Sequence, residues 1–267
     1  MLSNRIIASS LIYGKVPFET ALQELKKHGF TTFEMALEPD LCPHYDLLHA
    51  TEKTDAEIAS LIESAGMRVS DLNIGDSMRR RMTLEEIHAR HMATFRLAKR
   101  LGVNKVVFAA GIVLQDSDIS LVRSTMYPYF RELIKTAKDF GITLMIEAPH
   151  KMSITETPEG TRDFWENMDP DILCSFDVAH VTFGGGDVAE LAERMAGRIG
   201  NVHLRDAVLG NTFVPYGTGK VDFQEMFDIV RAGGYTGTFS IEFLASDLPH
   251  ADKTIQDAAN LFSGMRV

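Results

Sequence analysis

The feature that most constrains this chain is an alternation of short apolar runs with longer stretches of helical periodicity, repeated without a break in composition. The runs are 5–10 (RIIASS), 32–37 (TFEMAL), 68–74 (RVSDLNI), 105–109 (KVVFA), 142–147 (ITLMIE), 172–177 (ILCSFD), 201–204 (NVHL) and 238–243 (TFSIEF). Nearly continuous apolar runs bounded by polar residues or Gly are what parallel strands look like when helices cover them. Eight strand–helix units of similar length predict a closed (β/α)8 TIM barrel, a single domain over residues 1–267. A doubly wound open sheet is the alternative, but it gives no reason for eight equal units.

The helices are signalled at their ends. Thr54-Asp55-Ala56-Glu57 and Thr83-Leu84-Glu85-Glu86 fit capping boxes, and Asp222-Phe223-Gln224-Glu225 repeats the logic with Asp as cap. Pro17 and Pro158 suit first-turn positions. Gly29, Gly66, Gly102 and Gly141 stand where a helix ends and the next strand begins. The last helix, roughly 252–263, has the least regular apolar face.

In such a barrel the active site gathers at the C-terminal strand ends. Run five ends in Glu147, run six in Asp177 with His180 following, run seven carries His203 followed by Arg205 and Asp206, and run eight leads to Glu242. One acid at a strand end is ordinarily a solvated residue or a helix cap. Three carboxylates and an imidazole on consecutive strands are different, because gathering like charges costs free energy that a divalent cation relieves. An oxygen-rich set with one imidazole and no thiolate favours Mn²⁺, with Mg²⁺, Co²⁺ or Zn²⁺ as alternatives.

These elements resemble the xylose isomerase-like superfamily of sugar phosphate isomerases and epimerases over essentially the whole chain. Asp177-Val178-Ala179-His180 is similar to its D-x-x-H, and His203-Leu204-Arg205-Asp206 to its H-h-K/R-D element. Residues 216–223 (YGTGKVDF) resemble its turn into the seventh helix, and 234–242 (GYTGTFSIE) its final strand. The resemblance implies that Glu147, Asp177, His203 and Glu242 hold a metal. It further implies that Glu147 and Glu242 remove and return a proton on opposite faces of a substrate, and that His180 binds substrate oxygen. Where many members read E-N-H, this chain reads Glu147-Ala148-Pro149-His150, which leaves the role of His150 open. A metal chelating a carbonyl and its neighbouring hydroxyl would stabilise the enediolate formed when the α-proton leaves, and a carboxylate is a competent base for that proton.

Glu34 and Asn73 fall near the ends of runs two and three and are further substrate-contact candidates, weighed against capping or loop hydrogen bonds. Arg205 is the better anion-binding candidate than Arg79-Arg80-Arg81, which read as a solvated cluster beside a helix. Trp165 reads as helix packing, and Gly184-Gly185-Gly186 as a flexible loop.

The expected activity is that of a metal-dependent isomerase or epimerase of a ketose, keto-sugar acid or similar small hydroxy-carbonyl compound. A dehydratase of an inosose or dehydroshikimate-like ring is the alternative on the same site. An endonuclease IV-type phosphoesterase would need histidines on the early strands, and the TFEMAL and RVSDLNI runs contain none. The net charge of −10 also argues against a nucleic-acid partner. A non-catalytic binding role would require metal-independent ligand binding. Two cysteines in no metal-binding spacing, no signal-like start and no long apolar stretch lead to the expectation of a cytoplasmic protein without a membrane partner. A homodimer or homotetramer is the expected assembly.

Overall fold

Each apolar run forms a strand in the computed structural model, which describes residues 2–267. The strands are β1 (Ile6–Ser9), β2 (Thr32–Ala36), β3 (Arg68–Ile74), β4 (Lys105–Ala109), β5 (Thr143–Glu147), β6 (Leu173–Asp177), β7 (Ile199–Leu204) and β8 (Phe239–Ile241). They pair in parallel in sequence order, and β8 closes on β1, so the sheet is a TIM barrel and the open-sheet alternative is excluded.

A 3₁₀ turn (Ser10–Tyr13) and α1 (Phe18–Lys27) follow β1; α2 (Glu52–Ser64), α3 (Leu84–Leu101), α4 (Ile119–Asp139) and α5 (Pro158–Asn167) follow the next four strands. Two short helices, α6 (Val178–Phe183) and α7 (Val188–Arg194), follow β6, and α8 (Phe223–Ala232) and α9 (Leu248–Phe262) complete the ring. None of the described helices is long and apolar enough to cross a membrane.

Period-two alternation sorts the strand residues. Phe33 and Met35, Leu144 and Ile146, Cys174 and Phe176, Val202 and Leu204 join the large hydrophobic core between strands and helices. The residues between them face the barrel axis, and many are polar: Glu34, Asp71, Asn73, Ser175, Asn201 and Ser240 are all buried. The chain therefore keeps its apolar core outside the strands and a polar column inside, where each group needs a partner.

Most helix ends follow the sequence signals. Thr83 and Glu86 form a reciprocal box, Asp222 accepts from the Glu225 amide, and Pro158 occupies the first turn of α5. Two signals are displaced. The cap of α2 is Thr51, with Thr54 as its box partner rather than the cap, because a threonine three residues earlier already closes the turn. Pro17 is itself the N-cap of α1. The last helix begins at Leu248, capped by Asp247, ahead of the expected start. Arg80 and Arg81 pair with Glu86 at 2.9 Å and Asp116 at 3.4 Å on the surface. Trp165 is buried in α5 and donates to the Ala148 carbonyl at 3.2 Å. Of the three glycines after α6, Gly184 is packed, since a Cβ on it would lie 2.3 Å from the Glu156 carbonyl oxygen, whereas Gly185 is exposed.

Candidate active site

Strand parity brings the four last-strand groups to one place. Asp177 and His203 are register partners, and His203 pairs with Ser240, which sets Glu242 one pleat higher, just past the end of β8. Glu147 ends β5. One donor atom from each of Glu147, Asp177, His203 and Glu242 lies within 4.8 Å of the others, and all four residues are buried. Ligands held 2.0–2.6 Å from one ion are at most ~4–5 Å apart, so this set fits a single divalent cation. His203 Nδ1 faces the cluster, 3.1 Å from Glu147 Oε1 and 3.7 Å from Glu242 Oε2.

Burial and the mutual charges of the cluster set its electrostatics. Burial pushes the Glu147 carboxyl up to about 8, with Glu242 and Asp177 adding to the rise against the opposing pull of His203. Burial likewise raises Glu242. Asp177 goes the other way: burial opposes its ionisation, but Arg205, His180 and His203 outweigh it and hold the carboxyl below its ordinary range. The Arg205 guanidinium touches Asp177 Oδ2 and lies 3.3 Å from Glu242 Oε2, a cation bridging two members of the set. Arg205 shares the parity of His203, which aims both side chains inward.

The sequence candidates separate into two groups. His150, His180 and Arg205 line a cavity of about 150 Å³ together with Glu147 and Glu242. His150 Nε2 lies 3.6 Å from Glu147 Oε2, and the His150 and His180 rings are 4.6 Å apart. Burial depresses both imidazoles, His150 to about 4. The Lys151 amide donates to His180 Nδ1 at 3.0 Å, so the neutral ring carries its proton on Nε2. That proton faces Arg205 Nη2 at 2.9 Å, donor against donor, a conflict that a ligand oxygen accepting from both would relieve.

Glu34 and Asn73 do not line the cavity. Glu34 is fully buried and lies 2.8 Å from His203 Nε2, because the inward face of β2 looks across the axis at β7. It also accepts from Asn201 Nδ2 at 2.9 Å. Burial opposes its ionisation, but His203 outweighs it and holds the carboxyl down at about 2, while burial and the Glu34 charge push neighbouring Asp71 well up. Despite its burial, His203 is raised by Glu34, Glu242 and Glu147. Glu34 thus fixes a proton on Nε2 and leaves Nδ1 directed at the cluster, the arrangement by which an outer carboxylate orients a metal-ligating histidine. Asn73 donates to Glu242 Oε1 at 3.1 Å. Glu34 thus contacts His203 and Asn73 contacts Glu242, and neither lines the cavity.

One further contributor escaped the sequence reading. Glu38 lines the cavity; it sits two pleats beyond Glu34 on the same parity, a signal the pattern carried. Asp206 accepts from the amides of Gly217 at 2.9 Å and Gly219 at 2.8 Å, which pins the loop that carries the G-x-G pattern. A Cβ on Gly219 would fall 1.9 Å from Asp206 Oδ1, so glycine is required by close approach. From that loop the Tyr216 hydroxyl donates to the carbonyls of Leu204 at 2.6 Å and Glu242 at 3.1 Å, tying the ends of β7 and β8 together.

Comparison with known proteins agrees with this architecture. L-ribulose 3-epimerase of Mesorhizobium japonicum is 28% identical over 164 residues, covering 58% of this chain and 53% of that protein. Inosose dehydratase of Histophilus somni is 24% identical over 162 residues, 53% of each chain. Each of these matches spans about half the length of the relative. The crystal structure of the IolI protein with a bound zinc atom superposes with a TM-score of 0.75 at 17% identity, covering 100% of this chain and 99% of that one, and so shares the fold. The family described as xylose isomerase-like TIM barrel matches residues 22–263. The chain belongs to the xylose isomerase-like TIM-barrel family.

Proposed function

We propose that this protein is a divalent-metal-dependent isomerase or epimerase of a ketose or related small hydroxy-carbonyl compound, with Glu147 and Glu242 as its proton-transfer pair. The observation that carries this reading is the convergence of Glu147, Asp177, His203 and Glu242 within 4.8 Å beside a small cavity. The four groups would hold one cation, for which Mn²⁺ is the first choice on the oxygen-rich donor set. Bound there, the cation supplies Lewis acidity that polarises the substrate carbonyl and acidifies the neighbouring C–H.

The chain supplies the rest. Glu147 or Glu242 takes the proton from the carbon beside the carbonyl, and the other returns one, which inverts that carbon when the two act on opposite faces. His180 Nε2–H and Arg205 both point at the cavity, where they can donate to one substrate oxygen and fix the reacting carbon between the carboxylates. The matches to an epimerase and a dehydratase support proton abstraction beside a carbonyl as the shared chemistry. Dehydration is the second reading: the same abstraction expels a β-hydroxyl when the substrate carries one.

Incubation of the Mn²⁺-loaded protein with L-ribulose, D-tagatose and D-allulose in D₂O tests the assignment. Mass spectrometry should find one deuterium entering at the carbon beside the carbonyl, and none with Glu147→Gln. Absence of exchange across the panel, or exchange unaltered by Glu147→Gln, refutes it. Loss of water without rearranged ketose would select the dehydratase.

A further inference from the structure

The cavity wall carries one carboxylate outside the four-ligand set, that of Glu38. Glu38 stands just beyond β2, where the Leu37 amide still pairs with the Asn73 carbonyl at 2.8 Å and so carries the strand's parity past Ala36. Its neighbours on that wall are Leu11, Leu41, Met78, Phe213 and Leu244. The Glu38 carboxylate has no hydrogen bond and no ion pair among the described residues, although its backbone carbonyl accepts from Leu41 and Cys42. Its position is shaped by packing, since a Cβ on Gly75 would come within 2.6 Å of its carboxyl carbon. The residue is half-buried, and its unpaired carboxylate is available to accept hydrogen bonds from a ligand in the cavity.

Neither cation lining the cavity, Arg205 or Lys151, pairs with Glu38. Arg205 is engaged by Asp177 and Glu242. Lys151 lines the cavity, and its ammonium sits 5.1 Å from the Phe183 ring centroid. A substrate bound at the four-ligand cluster therefore meets, in the same cavity, a carboxylate without protein partners beside apolar side chains. Burial and the nearby Glu242 charge push that carboxyl up to about 7, and once ionised it accepts hydrogen bonds from hydroxyl groups and repels a phosphate or carboxylate.

We propose that Glu38 is a specificity-determining residue that receives a substrate hydroxyl in the cavity beside the cluster, so that the site takes uncharged ketoses and excludes their phosphate esters. The proposal rests on the ketose reading above and narrows it to a substrate class.

Calorimetric titration of the Mn²⁺-loaded full chain with L-ribulose and with L-ribulose 5-phosphate tests it independently of turnover. The free ketose should bind about tenfold or more tightly than the ester. Glu38→Gln keeps the shape and the acceptor oxygen but removes the charge, and should bring the two affinities within about threefold, mainly by improving the ester. Glu38→Ala should weaken the free ketose about tenfold. Equal or tighter binding of the ester by the native protein, a ratio unchanged in Glu38→Gln, or binding of neither compound overturns the proposal. Selective binding that depends on Glu38 but is accompanied by no solvent exchange would leave it standing and sink the isomerase assignment instead.

Discussion

Replacing Glu34 by Gln tests whether the buried carboxylate under His203 sets up the metal ligand. Glu34 is 2.8 Å from His203 Nε2, receives Asn201 Nδ2 at 2.9 Å and has no contact with the cavity. A glutamine of the same shape can still accept a hydrogen bond from Nε2–H, but it no longer offers the charge that holds the imidazole in this tautomer. Loss of such an outer partner ordinarily weakens metal binding by about 10–100-fold, or ~1.4–2.7 kcal/mol. Asp71 complicates the expectation in a calculable direction. Burial and the Glu34 charge push its carboxyl well up, so removing that charge favours its ionisation and lets it supply part of what was lost, 3.2 Å from Asn201 Nδ2. The single variant should therefore fall near the tenfold end and Glu34→Gln/Asp71→Asn near the hundredfold end. Calorimetric titration with Mn²⁺ on apo protein gives both numbers, and circular dichroism checks that the barrel persists. Native affinity in the folded double variant would refute the claim that this pair orients His203.

Three other perturbations follow from the same geometry. Arg205→Met leaves Asp177 and Glu242 without their bridging cation, so the metal-free protein should lose about 3–5 kcal/mol in urea denaturation; saturating Mn²⁺ should recover most of it, and an equal loss in both states would contradict the bridging role. Glu147 holds its proton up to about 8 in the folded metal-free state, above its unfolded value, so as pH rises toward 8 the unfolded chain sheds a proton that the native state keeps and this group progressively costs stability. Metal binding displaces that proton, so apparent Mn²⁺ affinity should climb by about tenfold per pH unit between pH 6 and 8; a flat profile by calorimetry would contradict the assignment. Gly219→Ala forces the loop off Asp206 and should cost about 2–4 kcal/mol of thermal or denaturant stability, whereas Gly210→Ala, where a Cβ meets open space, pays only the positive-φ strain of about 1 kcal/mol.

The barrel was legible because its two periodicities are strong and local. Apolar runs such as LMI before Glu147 and CSF before Asp177 show their strands directly, and the glycines that end the helices mark the return to the next one. The cluster was legible for a related reason: Glu147, Asp177, His203 and Glu242 fall at equivalent positions on consecutive strands, so topology alone brings them near one another. What stayed hidden depends on contacts across the axis. Glu34 reads like any acid at a strand end; its burial beneath His203 emerges only when β2 faces β7 across the closed barrel. Glu38 lies past the apolar run, in a segment that looks like loop, and parity carried beyond the strand end is what turns it inward. The displaced cap of α2 is a local ambiguity, since Thr51 and Thr54 both offer a hydroxyl and only the backbone path chooses.

Metal stoichiometry by plasma mass spectrometry after equilibrium dialysis against Mn²⁺ addresses the shared cation most directly. The native chain should retain one ion, and Asp177→Asn and His203→Gln, each folded by circular dichroism, should retain essentially none. A native chain that emerges metal-free, or one whose bound ion survives both substitutions, would contradict the assignment of these four groups to a common centre.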